Sequence, residues 1–363
     1  GGSHAILTMA SIVRKYHREH GEEDQRDEII TTVYSHPSDA AAPATKGFKI
    51  IKIMPDEDGY PDYEAFKNAV SERTAAFFVA NPEDTGVFNP RVKKFTDLVR
   101  KAGGLNCYDQ ANANGLLGVA RAREAGFDMC FFNLHKTFST PHGCGGPAGG
   151  ALGVLKELID YLPKPIVGMK DDKYFLDYDL SKSIGKVRLF NGVPQTVLKA
   201  YAWIMSLGAE GLYEAAKVAV LNNNYLFKKL LEHKGVDAPY IRGKQRIEQV
   251  RYTLEKLTED TGVTSGDVSQ RVMDFGMHYW TSHHPYYVPE PITLEPTESP
   301  SKEDLDEYIA TLHHIFDEAY ENPEIVKTAP HNSTIHQVDE LSLDDPEQWA
   351  PTWRVYLRKT KKD

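Results

Sequence analysis

The stretch Asn133-Leu134-His135-Lys136-Thr137-Phe138 decides the fold, because it places a lysine directly after a buried segment. The preceding run, Met129 to Phe132, is apolar and predicts a strand. A lysine at the carboxyl end of a parallel strand lies where a sheet edge meets a ligand cleft. An amine partly shielded from water loses some preference for its charged form and can attack a carbonyl carbon. We therefore expect Lys136 to form a Schiff base, with a lysine that reaches solvent from a strand end as the alternative.

Length and composition indicate a protein of enzyme size. With 363 residues, 41% of them hydrophobic, the chain can bury the core of two domains or of one large one. The net charge of -10 is spread along the chain without a Lys/Arg-rich arm, so nucleic acid is not an expected partner. No apolar run approaches the roughly 18 residues of a membrane span, and the first residues do not resemble a signal peptide. Three cysteines, Cys107, Cys130 and Cys144, favour a reducing, cytoplasmic setting.

The first half of the sequence alternates short apolar runs with amphipathic segments, which predicts an α/β fold with a mostly parallel sheet covered on both faces. Ligands of such sheets bind outside the carboxyl ends of the strands, and polar clusters follow three of these ends, at Ser35-His36, Asn81-Pro82 and Asp109-Gln110. The predicted strands are Glu28 to Tyr34, Phe48 to Met54, Ala75 to Ala80, Leu105 to Asp109 and Asp128 to Leu134, with helices at Tyr63 to Val70 and Arg91 to Lys101.

The remaining segments predict helices and a few short strands. The predicted helices are Ala5 to His20, Leu152 to Leu162, Thr196 to His233 with breaks near Gly208 and Gly211, Ser265 to Phe275, and a segment capped by Ser299-Pro300 that ends at Ala319. The predicted strands are Gln249 to Lys256 and Thr293 to Glu295. We expect a large ligand-binding domain at residues 1–195, linking helices at 196–235, and a small C-terminal domain with a tail at 236–363.

Three positions match the needs of pyridoxal 5'-phosphate, a cofactor that requires an amine, a carboxylate beside its pyridine nitrogen and donors for its phosphate. Lys136 supplies the amine, Asp109 the carboxylate, and Gly2-Ser3 a helix start with free N–H groups. A carboxylate facing a pyridinium favours the positive charge on that nitrogen. The alternatives are a turn or capping role for Asp109, a capping role for Ser3, and an expression-tag remnant at the first residues.

Two histidines lie close to these positions in the sequence. His36 follows a strand, where its imidazole would stack on the cofactor ring or form a hydrogen bond at the strand end. His135 would contact the cofactor phosphate or pack against its neighbours. Neither assignment follows from the sequence pattern alone.

A metal site is not expected. His135, His142 and Cys144 lack the spacing of zinc ligands. The pair His283-His284, followed by Tyr286-Tyr287, is expected to pack in a loop, because adjacent side chains of an extended segment point to opposite faces.

Residues 133–147, with the pattern Asn-Leu-His-Lys-Thr-Phe-Ser-Thr-Pro-His-Gly-x-Gly-Gly-Pro, resemble the cofactor-lysine motif of the glycine cleavage system P-protein, the pyridoxal phosphate-dependent glycine decarboxylase. Asn81-Pro82 and the Ser-Ile-Gly-Lys-Val-Arg block are most similar to subunit 2 of the two-subunit form. Further similar segments follow in order, namely Tyr108-Asp109-x-Ala111-Asn112, Lys182 to Arg188, Met205 to Tyr225, Met273-Asp-x-Gly-x-His278 and Glu295-Pro-Thr-Glu-Ser299.

The resemblance implies fold type I of the pyridoxal phosphate enzymes, which is aspartate aminotransferase-like, with a smaller α+β C-terminal domain. It also implies an N-terminal segment in family members before the phosphate loop, so that this chain is expected to be shortened at its start. The site residues that it implies are Lys136 as the Schiff-base lysine, Asp109 as the pyridinium partner, Ala111 and His36 on the two faces of the ring, and Gly2, Ser3 and His4 at the phosphate.

The implied reaction removes carbon dioxide from glycine and transfers the aminomethyl group to the lipoyl arm of the H-protein. The implied partners are glycine or another small amino acid, a glycine decarboxylase subunit 1 and a lipoylated H-protein, in a dimer or heterotetramer. Two alternatives are a divergent enzyme of the same fold that acts on another amino acid, and a non-catalytic partner subunit.

Acidic residues distinguish this chain from the family pattern. Asp39 lies where the family has His-Gly-Thr-Asn-Pro, and Glu83 and Asp84 follow Asn81-Pro82, where related chains are neutral. At the mouth of the cleft each acid would repel the carboxylate of free glycine by roughly 1 kcal/mol, which would favour another substrate. Acids that point to solvent and change nothing are the alternative. Arg188 is a candidate anchor for the substrate carboxylate, because a guanidinium pairs with a carboxylate in a bidentate fork.

Overall fold

A six-stranded sheet forms the centre of the molecule. The computed structural model describes residues 1–142, 146–240, 245–278, 287–334, 336–337 and 353–360. The sheet has the order β2-β1-β3-β4-β5-β6, in which the first five strands along the chain are parallel and β6 runs antiparallel to β5. The strands are β1 Glu28–Thr32, β2 Lys49–Ile53, β3 Thr74–Ala80, β4 Leu105–Gln110, β5 Met129–Asn133 and β6 Gly150–Val154. All five strands predicted in the first half therefore form, and the mostly parallel sheet is confirmed.

Helices and two small antiparallel ladders complete the described part of the chain. The ladders pair β7 Ile166–Lys170 with β8 Lys173–Asp177, and β9 Val250–Thr253 with β10 Pro291–Leu294. The helices are α1 Gly2–Glu19, α2 Ser38–Thr45, α3 Tyr63–Ala69, α4 Val92–Lys101, α5 Pro194–Leu230, α6 Glu255–Thr261, α7 Ser265–Met273, α8 Lys302–Glu321, α9 Pro323–Lys327 and α10 Trp353–Thr360. None of the helices in the described ranges has the length and apolar character needed to cross a membrane.

Both faces of the central sheet are buried, which explains why its strands are continuous apolar runs. Successive side chains of a strand point to opposite faces. Ile29 and Phe78 therefore pack on the face covered by α1 and α2, while their neighbours Ile30 and Phe77 pack on the face covered by α3 and α4. The sheet thus holds its strand ends in fixed positions between two helical layers.

The C-terminal part of the chain has a separate hydrophobic core. The ladder β9–β10, helices α6 to α9 and the second half of α5 enclose it, with Leu312 and Phe316 fully buried. Helix α8 begins with a capping box in which the Ser301 side chain accepts from the Asp304 N–H and the Asp304 side chain accepts from the Ser301 N–H. Within α5, Gly208 has φ 62° and ψ -173°, which confirms the predicted break. The domain boundaries at residues 195 and 235 stay a prediction.

Two helix predictions are wrong in part. Leu152 to Leu162 is not a helix, because its first residues belong to β6 and Lys156–Tyr161 forms a 3₁₀ helix. Gly153 favours this outcome, because a glycine weakens a helix, and β5 offers an unpaired edge on which the segment can pair. The predicted cap Ser299-Pro300 lies before the helix, because the observed N-cap is Ser301 and the first helical residue is Lys302.

Candidate active site

A cavity of about 690 Å3 lies where the carboxyl ends of the central strands face the C-terminal part of the chain. His36 follows β1, Asp84 follows β3 and Lys136 follows β5, and all three line the cavity. The opposite wall includes Arg251 and Glu295, which belong to the β9–β10 region. The predicted convergence of strand ends on one ligand cleft is therefore present in the structure.

Lys136 stands in a turn held by backbone contacts. Its N–H donates to the carbonyl of Asn133 at 3.2 Å, and the next residue, Thr137, accepts the N–H of Ala113 at 2.9 Å. Phe138 is buried against α5 and anchors the turn from below. The Lys136 side chain is exposed, which corrects our expectation that it is shielded from water. It reaches the cavity from a rigid base.

Asp109 is a buried carboxylate near the end of β4. It is 6% exposed, and its Oδ1 accepts the N–H of Ala111 at 2.7 Å. Burial raises the pKa of Asp109, while the Ala111 N–H and the nearby charges of His36 and Lys136 act to lower it. Two of the predicted site residues therefore lie close enough to Asp109 to act on its charge.

His36 is exposed on the cavity wall and is oriented by its own turn. Its Nδ1 lies 2.5 Å from the Ser38 hydroxyl and 3.2 Å from the Ser38 N–H, which donates to it. With Nδ1 engaged in this way, the rest of the imidazole ring is directed to the cavity that it lines. Its stacking on a cofactor ring stays a prediction.

The start of α1 lies beside the end of β5. A Cβ atom on Gly2 would come within 3.0 Å of Asn133 Nδ2, so glycine permits this close approach. A Cβ atom on Gly1 would lie 3.5 Å from the ring of His135, the neighbour of Lys136. Ser3 is exposed at this helix start, and the first N–H groups of a helix have no intrahelical partners. The predicted phosphate donors thus lie near the lysine loop.

His135 and His4 both lie at this helix start and form hydrogen bonds there. Burial, together with the neighbouring His142, lowers the pKa of His135 to about 4, and its Nδ1 lies 3.3 Å from the carbonyl oxygen of Gly149. Burial and the adjacent Arg188 lower the pKa of His4. Within the described residues, no group of three His, Cys, Asp or Glu side chains is placed to hold a metal ion.

Arg188 does not reach the cavity wall as a substrate anchor. It is exposed and donates to Nε2 of His4, at the start of α1. The guanidinium that lines the cavity belongs instead to Arg251, which is 3% exposed and pairs with Asp84 at 2.9 Å. The sequence could not indicate this, because the two residues are 167 positions apart and meet only through the fold.

Two of the three unexpected acids adopt neither of the two arrangements considered above, and the third lies at the cavity with its charge paired. Asp39 and Glu83 are buried, at 0% and 5% exposure, so they neither line the mouth nor point to solvent. Asp84 does line the cavity, but Arg251 neutralises its charge, and Gln249 donates to its carbonyl oxygen at 2.9 Å. Direct repulsion of a substrate carboxylate by these acids is therefore largely removed.

Two further acids face the same region. Glu295 accepts from the side-chain amides of Asn112 and Asn114, the second at 2.7 Å, and so joins β10 to the loop after β4. Glu248 is buried, and burial next to Glu295 raises its pKa. The sequence offered only a weak signal for these residues, since Glu295 and Asn112 appeared in segments with a family resemblance but without an assigned role.

Four residues considered in the sequence lie outside the described ranges. These are Cys144, His283, His284 and Tyr286. Their predicted roles stay predictions.

Two family models match the chain in sequence. Residues 1–180 match the aminotransferase class-V model, and residues 215–337 match the model of the glycine dehydrogenase C-terminal domain. Together they cover both the sheet that carries the lysine and the C-terminal wall of the cavity.

Curated relatives match over nearly the whole chain. A protein of Thermococcus gammatolerans named probable glycine dehydrogenase (decarboxylating) subunit 2 is 44% identical over 99% of this chain and 71% of its own length. A protein of Caldanaerobacter subterraneus with the same name is 43% identical over 94% of this chain and 69% of its own length.

Solved structures share the fold. The structure of glycine decarboxylase (P-protein) of the glycine cleavage system in inhibitor-bound form matches with a TM-score of 0.71 and 21% identity, over 86% of this chain and 70% of that one. A NifS-like protein matches with a TM-score of 0.62 and 18% identity, over 86% and 80% of the two chains. The predicted fold type I is confirmed.

Proposed function

The chain belongs to the family of glycine dehydrogenase (decarboxylating) subunit 2, and from this premise we propose that it decarboxylates glycine with pyridoxal 5'-phosphate and passes the aminomethyl group to a lipoylated H-protein. The observation that carries the proposal is the cavity in which Lys136 and His36 meet near the buried Asp109. The amine and the carboxylate are two of the groups that this cofactor requires, and the imidazole adds a group that can contact its ring.

The residues present fit this cofactor in their chemistry. Lys136 offers an exposed amine at the cavity, and Asp109 offers a buried carboxylate that can hold a proton on a pyridine nitrogen. The start of α1 at Gly2-Ser3, next to His135, offers N–H and hydroxyl donors for a phosphate. The first turn of α1 contains no acidic residue that would repel the phosphate.

Each side chain then has a defined task. Lys136 Nζ would hold the cofactor covalently, Asp109 would keep a proton on its ring nitrogen, and the His36 imidazole would contact its ring. When bound, the cofactor supplies an electron sink for the charge left on the substrate carbon as carbon dioxide departs. Arg251, already paired with Asp84, keeps this wall of the cavity close to neutral for a substrate that carries a carboxylate.

Cofactor binding can be tested directly. Purified protein with saturating pyridoxal 5'-phosphate should show a visible absorbance band, and Lys136→Ala should remove it. Lys93→Ala is the matched control, because Lys93 is an exposed lysine of α4 that pairs with Asp97. Unsubstituted protein without the band would contradict both this proposal and any other enzyme role at Lys136.

The reaction needs a second measurement. With subunit 1 and H-protein present, glycine should drive the exchange of labelled bicarbonate into its carboxyl group. If exchange is absent while another amino acid changes the visible spectrum, the chain is instead a divergent enzyme of the same fold. If the band is absent and the chain only assembles with subunit 1, it is a non-catalytic partner.

Subunit 1 is proposed to bind the exposed side of α5. Val197, Leu198, Tyr201 and Met205 lie on one side of this helix and are 52% to 65% exposed. A contiguous apolar stripe of this kind marks a protein contact. The opposite side of α5 packs on Phe138, two residues from Lys136. A subunit bound to the exposed stripe would therefore lie near the lysine loop.

The α5 stripe can be tested by assembly. Leu198→Glu with Tyr201→Glu should abolish co-migration with subunit 1 in gel filtration, whereas Met54→Glu, at an apolar side chain 46% exposed after β2, should retain it. If the double variant binds subunit 1 as well as Met54→Glu does, subunit 1 binds another surface. The elution volume of the complex also gives the assembly state, which we propose to be a heterotetramer. We further propose that this complex is located in the cytoplasm.

A further inference from the structure

Asp39 is a buried carboxyl group to which no N–H or hydroxyl group of the described residues donates a hydrogen bond. It lies in the first turn of α2 and is 0% exposed, and both of its oxygens are buried. An ionised carboxylate in such a place would lose its hydration without replacement, which is costly. The structure therefore requires a neutral form or a partner for Asp39.

A group able to act as that partner is Asp109. The two carboxyl groups lie within hydrogen-bonding reach, where a hydrogen bond requires a proton on one of them. The other titratable groups near Asp39 include the buried thiol of Cys107 and two further acids, Glu83 and Asp84. Burial and these three acids raise the pKa of Asp39 well above its usual range. Two buried carboxyl groups in such contact cannot both carry a negative charge.

The surroundings of the two groups decide where the proton resides. Asp109 accepts the N–H of Ala111 at 2.7 Å and faces the charges of His36 and Lys136, all of which favour its ionised form. Asp39 accepts no such N–H, and the groups that act most strongly on its charge are the acids Asp109, Asp84 and Glu83. The proton therefore belongs on Asp39, and the negative charge on Asp109.

We propose that Asp39 is a positioning residue that stays protonated and donates its proton in a hydrogen bond to Asp109, so that Asp109 alone presents a negative charge to the cofactor ring nitrogen. This inference rests on the proposed cofactor site. Asp39 acts through Asp109 and does not itself contact the cofactor. Its carboxyl group serves as a hydrogen-bond donor, a task that an amide can also perform.

The protonation of Asp39 can be measured without any cofactor. In the infrared spectrum of the cofactor-free protein at pH 7, Asp39→Asn should remove one component of the carbonyl band of protonated carboxylic acids. Glu83→Gln is the matched control and should remove a different component, since burial raises the pKa of Glu83 to about 8. An unchanged band in Asp39→Asn would show an ionised Asp39 and overturn the inference.

Cofactor affinity shows whether Asp39 acts as a hydrogen-bond donor or as a negative charge. Asp39→Asn keeps a donor and should leave the dissociation constant of pyridoxal 5'-phosphate within about threefold, whereas Asp39→Ala should weaken binding about tenfold, the effect of losing one hydrogen bond to a charged group. Asn as weak as Ala would show that a carboxylate is needed, and Ala as tight as the unsubstituted protein would show that the hydrogen bond is irrelevant. Circular dichroism verifies that both variants fold. If the unsubstituted protein binds no cofactor, the proposed function fails while the infrared result still decides Asp39.

Discussion

Replacement of Glu83 by glutamine should make the protein less sensitive to rising pH. The Glu83 side chain is 5% exposed and accepts a hydrogen bond from Thr32. Burial, with a further contribution from Asp84, raises its pKa to about 8 from the usual 4.5. Between these two pH values the native state retains a proton that the unfolded state releases, so the free energy of unfolding falls as pH rises.

The magnitude follows from this difference in pKa. Each pH unit in this window costs about 1.4 kcal/mol, so between pH 5 and pH 7 the unsubstituted protein loses about 3 kcal/mol through Glu83 alone. That is a large share of the roughly 5 to 15 kcal/mol of a typical protein. Glutamine has nearly the same shape, still accepts the hydrogen bond from Thr32 and does not titrate. The unfolding free energy of Glu83→Gln should therefore not fall through this group as pH rises.

Urea denaturation at pH 5, 6 and 7 measures the effect. The difference in unfolding free energy between Glu83→Gln and the unsubstituted protein should grow in favour of the variant by about 3 kcal/mol across this interval. Glu64→Gln, at an α3 side chain that is 73% exposed, controls for the change from Glu to Gln itself. Parallel pH profiles for Glu83→Gln and the unsubstituted protein would refute the argument, because they would show that Glu83 is ionised in the native state.

Three further substitutions test how the cavity and its walls are held together, all by urea denaturation. Arg251→Leu leaves the Asp84 carboxylate without its ion pair and should cost about 3 kcal/mol, part of which Asp84→Asn should restore in the double variant. Gly86→Ala should lower the free energy of unfolding by at least about 2 kcal/mol, because φ is +77° and a Cβ would lie 1.8 Å from the Gln249 carbonyl oxygen. Gly185 is the control, since its φ is +86° but no atom lies within 4 Å of its Cβ position. An equal loss in Gly185→Ala would show that backbone strain alone, without the clash, accounts for the effect. Ser301→Ala should lower the free energy of unfolding by about 1 kcal/mol, and Ser301→Asp, which keeps a capping oxygen, by much less. Equal stability of all three proteins would show that the cap of α8 does not stabilise the fold.

The positions of Lys136, Asp109 and His36 could be predicted because their signal is local. Each follows a run of apolar residues, and the carboxyl ends of parallel strands meet at one edge of a sheet whatever the details of packing. Local reasoning failed for Leu152 to Leu162, where the pattern suggested a helix. The first residues of this segment instead pair with the free edge of β5. A choice between helix and edge strand depends on a distant neighbour.

The sequence by itself determined the sheet, the order of its strands along the chain and the lysine at its edge, since these follow from periodicity and from single residues after strands. Only the tertiary structure decided how the acids of the site are charged. Asp84 pairs with Arg251, which is 167 positions away in the sequence. Asp39 of α2 contacts Asp109 of β4. Charge depends on burial and on neighbours in space, and neither is encoded in a local pattern.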